Sequence, residues 1–220
     1  MWTLTVDQEG SRRVGDRVEA LLVDLADTSP LADAAPEVVV LPFERTVGDE
    51  VQGVLADPDL VVALALHLVR LGGWSIGIGA GGVDVPLPAS SRAGSGSAFI
   101  HARDAVEAAK SRLRSVPLAV RGDDADLAAE AEGVLVLLGS VVARRTEPGW
   151  AVVDRLTSGA GERQEDLAAD LGITQQAVSA RLRSALWFEE AAARPAAARL
   201  LRLARGSGHD GQPDDREGEA

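Results

Sequence analysis

The chain has 220 residues, 46% of them hydrophobic, and its 22 basic and 34 acidic side chains give a formal net charge of −12. That is enough apolar material for one large domain or two small ones. The acidic balance excludes a protein whose whole surface coats nucleic acid or an anionic membrane. With no cysteine, a disulfide framework, a thiolate metal site and a cysteine nucleophile are excluded as well, which suits a reducing cytoplasm. No apolar stretch reaches the ~18 residues needed to span a bilayer. Asp7 and Glu9 precede the first basic residue, unlike a secretory signal. The expectation is a cytoplasmic protein without a membrane partner.

In chain order, the alternation of Trp2-Thr-Leu-Thr-Val6 predicts a short strand ending at Asp7. Val14, Val18, Leu21, Leu22 and Leu25 predict a helix from about Ser11 to Asp27. Apolar runs over Val38–Thr46 and Glu50–Leu55 flank Val47-Gly48-Asp49 and predict a hairpin. A helix over Leu60–Leu71 stops at Gly72-Gly73 and is followed by a buried strand at Trp74–Gly79. Phe99, Ala102, Val106, Ala109 and Leu113 share one face of a helix predicted over Ala98–Leu113, and Val116–Val120 is a last strand. This order predicts an α+β, ferredoxin-like or palm (nucleotidyl cyclase-like) sandwich over residues 1–122, with helices on one face of a mainly antiparallel sheet. Asp126–Arg144, with Leu127, Ala131, Val134, Leu138 and Val141 in phase, reads as a connector helix within 123–147. Residues 148–205 read as all-helical, and the tail 206–220, without a large apolar side chain, as disordered.

Charge is uneven along this layout. Residues 1–150 carry a net of −9, residues 151–205 a net of +1 and the tail a net of −4, while Leu171–Arg205 alone carries +4. The basic stretch begins inside Gln164-Glu-Asp-Leu-Ala-Ala-Asp-Leu-Gly-Ile-Thr-Gln-Gln-Ala-Val-Ser-Ala-Arg-Leu-Arg183. A helix-turn-helix needs a small residue at the helix crossing, here Ala168, and a glycine in the turn, here Gly172. Leu167, Leu171, Ile173, Val178 and Leu182 would lock the pair, and Thr174 would cap the second helix. Thr174, Gln175, Gln176, Ser179, Arg181 and Arg183 then become the residues that reach DNA, since glutamine pairs with adenine and arginine with guanine or phosphate. Glu162, Glu165, Asp166 and Asp170 on the preceding helix oppose that reading. A helical hairpin that contacts only protein is the bland alternative.

A second constellation places Asp7 at the end of the first strand and Asp49-Glu50 at the hairpin. In a palm-type sheet these are neighbours, and two carboxylates can converge on Mg²⁺, which holds nucleotide phosphates. Backbone N–H groups of Glu9, Gly10 and Ser11 would add an anion site at a helix start. The plainer reading makes Asp7 a cap and Asp49 a turn residue. Gly77-Ile-Gly-Ala-Gly-Gly82 matches a dinucleotide fingerprint but is followed by Val83-Asp-Val-Pro-Leu-Pro88 where a helix must begin. Gly73-Trp-Ser-Ile-Gly77 matches a nucleophile elbow but lies within an apolar strand. Gly77 and Gly79 are better explained by close packing against a backbone or ligand. His67, His101 and His209 share no metal-ligand spacing.

At Asp7-Gln-Glu-Gly-Ser-Arg12, Phe43-Glu-Arg-Thr-Val-Gly-Asp-Glu-Val-Gln-Gly53, Ile76-Gly-Ile-Gly79 and Ala98-Phe-Ile-His-Ala-Arg103 the chain resembles the SatD family of small bacterial proteins. More distantly it is similar to the palm domain of class III nucleotidyl cyclases and GGDEF diguanylate cyclases. Val6, Val51 and Ser95-Gly96-Ser97 depart from the family's Gly, Phe and Asp-Gly-Pro. The resemblance implies that Asp7 and Asp49 occupy the two metal-carboxylate positions for Mg²⁺, with Glu9, Gly10, Ser11, Arg12, Gly48 and Glu50 beside a nucleotide. No position matches the base-recognition or transition-state residues of active cyclases, so no catalytic residue is assigned. The expected function is a DNA-binding transcriptional regulator whose cyclase-like domain binds nucleotide and metal or mediates homodimerisation. The alternative is a cyclase-like phosphoryl-transfer enzyme.

Overall fold

The computed structural model describes residues 1–111, 115–158 and 163–206. Leu113, Glu162 and the tail from 207 onward lie outside the described residues. The chain is mixed α+β, with one five-stranded sheet and, among the described residues, nine α-helices.

β1 (Trp2–Gln8) leads through a single-turn α1 (Ser11–Val14) to α2 (Val18–Asp27), and the hairpin β2 (Val39–Arg45) and β3 (Glu50–Leu55) follows. α3 (Pro58–Leu71), β4 (Trp74–Ala80), α4 (Ser97–Ala109) and β5 (Leu118–Gly122) complete the sheet layer. The strand order is β2-β3-β1-β4-β5, antiparallel except for the parallel pair β4–β5. β1 is central: Asp7 lies opposite Glu50 on β3 and opposite Ser75 on β4.

The period-2 pattern of β1 divides the two faces of the sheet. Trp2, Leu4 and Val6 enter the main core with Ile76, Ile78, Leu118 and Val120, beneath α2 and α3. Thr3, Thr5 and Asp7 alternate to the other face, which is covered by α4. Helices therefore cover both faces rather than the one face expected. The close approach comes from Gly77 and Gly79, where an added Cβ would stand 2.3 Å from the Val106 nitrogen and 2.1 Å from the Ala98 oxygen respectively. The role the sequence suggests for these glycines, close packing against a backbone, is the one they have here.

The single helix expected over Ser11–Asp27 is broken at Gly15, whose φ is +83°. The Gln8 amide clamps the break: its Nε2 donates to the Gly15 carbonyl at 2.6 Å and its Oε1 accepts from the Arg17 N–H at 2.8 Å. Asp16 then restarts the helix by accepting from the Val18 N–H.

After the sheet come α5 (Ala125–Arg144), α6 (Glu147–Thr157), α7 (Gln164–Asp170), α8 (Gln175–Ser184) and α9 (Trp187–Ala204). Two of these belong to the sheet layer. α5 buries Ala128, Ala131, Leu135, Leu138 and Val142 in the main core, and α9 adds Ala197, Ala198, Leu201 and Ala204. The Trp2 indole N–H donates to the Leu201 carbonyl at 3.0 Å, fastening the last helix to the first strand. α5, the expected connector helix, is packed on the sheet layer along its length, and its buried phase is 128/131/135/138/142 rather than the 127/131/134/138/141 expected. α6, α7 and α8 enclose a separate core of Val152, Val153, Leu167, Ala168, Val178, Leu182 and Ala185. No described helix is long and apolar enough to cross a membrane.

Candidate functional site

α7 and α8 lie where the spacing places them. Gly172 adopts φ +62°, the left-handed conformation a tight interhelical turn requires. Thr174 caps α8, its Oγ1 accepting from the Ala177 N–H at 3.1 Å. Leu167, Ala168, Val178 and Leu182 are buried between α6, α7 and α8. Elsewhere on α8, Gln175, Gln176 and Arg183 are exposed and Ser179 and Arg181 half-exposed. Among the described residues neither arginine has an ion-pair partner. The acidic side chains of α7 are partly neutralised: Asp170 pairs with Arg155 of α6 at 3.0 Å and Glu165 with Arg163 at 3.4 Å.

The three-helix unit is joined to the sheet layer through residues that periodicity does not reveal. Arg145 has a fully buried side chain that donates from Nε and Nη2 to the Ala185 carbonyl at 3.2 and 3.0 Å, and it is paired with the equally buried Glu190. Its guanidinium lies 4.4 Å from the centre of the Trp150 ring. Arg70 of α3 covers the same ring at 3.7 Å and forms a two-pronged ion pair with Asp154 of α6 at 2.6 and 2.7 Å. One face of Trp150 is thus read by an arginine of the sheet layer, a contact no local pattern announces.

The second constellation is a cleft of about 730 Å³ at the end of β1, lined by Asp7, Glu9, Gly10, Arg12, Arg13, Ser75 and Lys110, among others. Asp7 is its central carboxylate. The Lys110 ammonium, at the C-terminal cap of α4, approaches Asp7 Oδ2 to 3.2 Å and Glu107 to 2.7 Å. Burial raises the Asp7 pKa above its ordinary 3.8; Lys110 opposes the rise, and the nearby charges of Asp49 and Glu50 add to it. For Lys110, burial works downward, but the hydrogen bonds to Glu107 and Asp7 outweigh it and hold the ammonium above its ordinary range. Sequence pattern does not single out Lys110. The signal available is its identity, since every other basic residue in the chain, histidines aside, is arginine.

The remaining expected ligands are dispersed. Gly48 and Asp49 form the hairpin turn, with Gly48 at φ +64°, and the Glu50 carboxylate accepts from the Thr46 hydroxyl at 2.5 Å; none of the three lines the cleft. Ser11 opens only the single-turn α1, and the Glu9 N–H is already donated to the Gly73 carbonyl at 2.9 Å. The backbone anion site expected there therefore lacks the long helix its dipole needs. Among the described residues no group of three or more His, Asp or Glu side chains gathers as a cation site. His101 is paired with Asp123 at 2.9 Å.

Because a raised folded pKa disfavours the ionised form, Asp7 contributes less to stability as pH climbs from 3.8 through its folded value. Asp7→Asn removes that cost and, in exchange, a partly exposed ion pair of small value. Urea unfolding at several pH values is expected to find Asp7→Asn at least as stable as wild type at neutral pH, with a flatter profile above 3.8. A marked loss at neutral pH would show that the Lys110 pair dominates.

Compared with models of known protein families, with curated proteins and with solved structures, the chain matches none.

Proposed function

We propose that the chain is a DNA-binding regulator in which α7 and α8 form a helix-turn-helix and α8 enters the major groove. The observation that carries this reading is the outer face of α8, which presents Gln175, Gln176, Ser179 and Arg183 over an independent three-helix core, with no described carboxylate on its arginines. Glutamine and arginine at such positions can read adenine and guanine edges, and Arg181 at the flank suits a phosphate. The overall −12 does not oppose this, since the acidic excess lies on the sheet layer and the tail.

Fluorescence anisotropy with the chain's own upstream DNA and with random duplex tests it. Arg181→Ala/Arg183→Ala is expected to weaken binding to both and to lower the slope of log K against log salt by about 1 for each phosphate no longer neutralised. Unchanged affinity and slope would refute the assignment. The double variant leaves Val178 and Leu182, the buried side of α8, intact.

For the sheet layer, the order β2-β3-β1-β4 in a βαββαβ chain, antiparallel throughout, supports the ferredoxin-like, palm-type reading and with it the likeness to the SatD family. The cleft at Asp7 suits a phosphate-bearing ligand, because Lys110, Arg12 and Arg13 border it. A bare Mg²⁺ fits less well, since Lys110 already supplies the positive charge on Asp7 and Asp49 does not line the cleft. A phosphoryl-transfer enzyme remains the second reading, favoured by one feature: a carboxylate of raised pKa in a cleft. Calorimetry with ATP and GTP, with and without Mg²⁺, separates the two. Nucleotide binding that needs Lys110 but not Mg²⁺ supports a sensor, whereas Asp7- and Mg²⁺-dependent binding with a cyclic product supports the enzyme.

A further inference from the structure

α5 has a buried apolar side and an exposed side with one large apolar residue. One side, through Leu135, Leu138 and Val142, is buried in the main core; the other has Leu137 at its middle, 71% exposed. Seven residues before Leu137 stands Glu130 and seven after it Arg144, both exposed, and neither has an ion-pair partner among the described residues. Seven residues are two helical turns, about 10.5 Å along the axis, so all three side chains share one stripe. Between them Gly133 is open, with no atom within 4 Å of where a Cβ would stand, and Val141 is half-exposed.

This stripe is complementary to itself in one orientation. We propose that α5 is the interface of a homodimer in which the two helices pack antiparallel about a two-fold axis through Leu137. Residues equally far before and after Leu137 then face one another. Leu137 meets Leu137 of the second copy, Glu130 meets Arg144 in both directions, and Gly133 leaves room for Val141. A parallel pairing would set Glu130 against Glu130 and Arg144 against Arg144, so the charges select the antiparallel one. The arrangement is isologous, as closed two-fold dimers require.

An independent feature extends the same patch. A groove of about 280 Å³ beside Leu137 and Val141 is closed on its far side by Leu186, 43% exposed and held at φ +50° between α8 and α9. A leucine in the left-handed region is strained where glycine or asparagine would be relaxed, and the chain keeps an apolar side chain there at the rim of the groove. The inference stands without the DNA reading. Where both hold, the axis relates two copies of α8, and the DNA site is a palindrome.

Sedimentation equilibrium of the full chain over a range of concentrations tests the interface, with circular dichroism as the folding control. Wild type is expected at twice 22.9 kDa. Glu130→Arg and Arg144→Glu each place like charges face to face and are expected to raise the dissociation constant at least tenfold. The double exchange Glu130→Arg/Arg144→Glu restores the dimer. Leu137→Glu gives a folded monomer. A wild type that is monomeric throughout, or a dimer that neither Leu137→Glu nor the single exchanges weaken, overturns the proposal. Single exchanges that dissociate the dimer without rescue by the double one overturn the antiparallel register.

Discussion

Glu190→Ala is expected to lower the free energy of unfolding by about 3–5 kcal/mol, because it leaves a buried charge without its counterion. The Arg145 and Glu190 side chains are both 0% exposed, and Arg194 also donates to Glu190, at 2.8 and 2.5 Å. With the carboxylate gone, Arg145 keeps the Ala185 carbonyl and the Trp150 and Trp187 rings, none of them a counterion, and its Nη1, already without a hydrogen-bond partner, gains none. The cost is one of stranded charge and not of the pair as such. The double change Arg145→Met/Glu190→Leu is therefore expected to be milder than Glu190→Ala alone, since both buried charges leave together. Urea unfolding of the two singles and the double measures this as a thermodynamic cycle. A loss below about 1 kcal/mol for Glu190→Ala would show that water reaches Arg145 and that the joint is not dry. The joint also bears on function: Ala185 caps α8, so freeing Arg145 loosens the hold of the sheet layer on the helix that presents Arg183.

Local pattern and long-range contact divide what the sequence reveals from what it hides. β1 is legible in Trp2-x-Leu4-x-Val6, the hairpin in Gly48, and the α7–α8 pair in Ala168, Gly172 and Thr174, since each is specified by residues within a few positions. The break at Gly15 is hidden because Val14 and Val18 continue a plausible helical phase. What overrides it is tertiary: the Gln8 clamp and the Arg45–Asp16 ion pair at 2.7 Å. α5 is located correctly but its buried side is not. Val134-Leu-Val-Leu-Leu138 is apolar all round, so periodicity cannot choose the face, and the sheet decides for Leu135 and Leu138. The apolar surplus this leaves at Leu137 is what makes a self-complementary stripe available. At the candidate sites the same division holds. The outer face of α8 follows from the turn chemistry, whereas Lys110 meets Asp7 only because α4 crosses the sheet and ends beside β1.

That crossing rests on two glycines, and Gly79→Ala is expected to cost about 3 kcal/mol or more, beyond the usual range for a single added methyl. The new Cβ would stand 2.1 Å from the Ala98 oxygen and 2.4 Å from the Ala102 nitrogen; at Gly77 it would meet the Val106 nitrogen at 2.3 Å and the Ala102 oxygen at 2.5 Å. These are backbone atoms of α4, which no rotamer change can move aside. Relief requires the whole helix to lift from β4, separating Ala105 and Ala109 from Ala119 on the neighbouring strand. Because Lys110 caps that helix, the lift also draws its ammonium away from Asp7, so the substitution acts at the cleft without touching it. Two measurements check this together: urea unfolding for the cost, and the pH dependence of stability, which is expected to steepen above 3.8 as Asp7 loses its cation. Gly133→Ala supplies the contrast. On the open side of α5, where nothing of its own chain lies within 4 Å, the same methyl is expected to stabilise the monomer by about 1 kcal/mol through helix propensity, measured at concentrations below any dimerisation. If Gly79→Ala and Gly133→Ala behave alike, the α4–β4 contact is softer than its geometry, and the placement of Lys110 depends on the β4–β5 connection and not on the glycines.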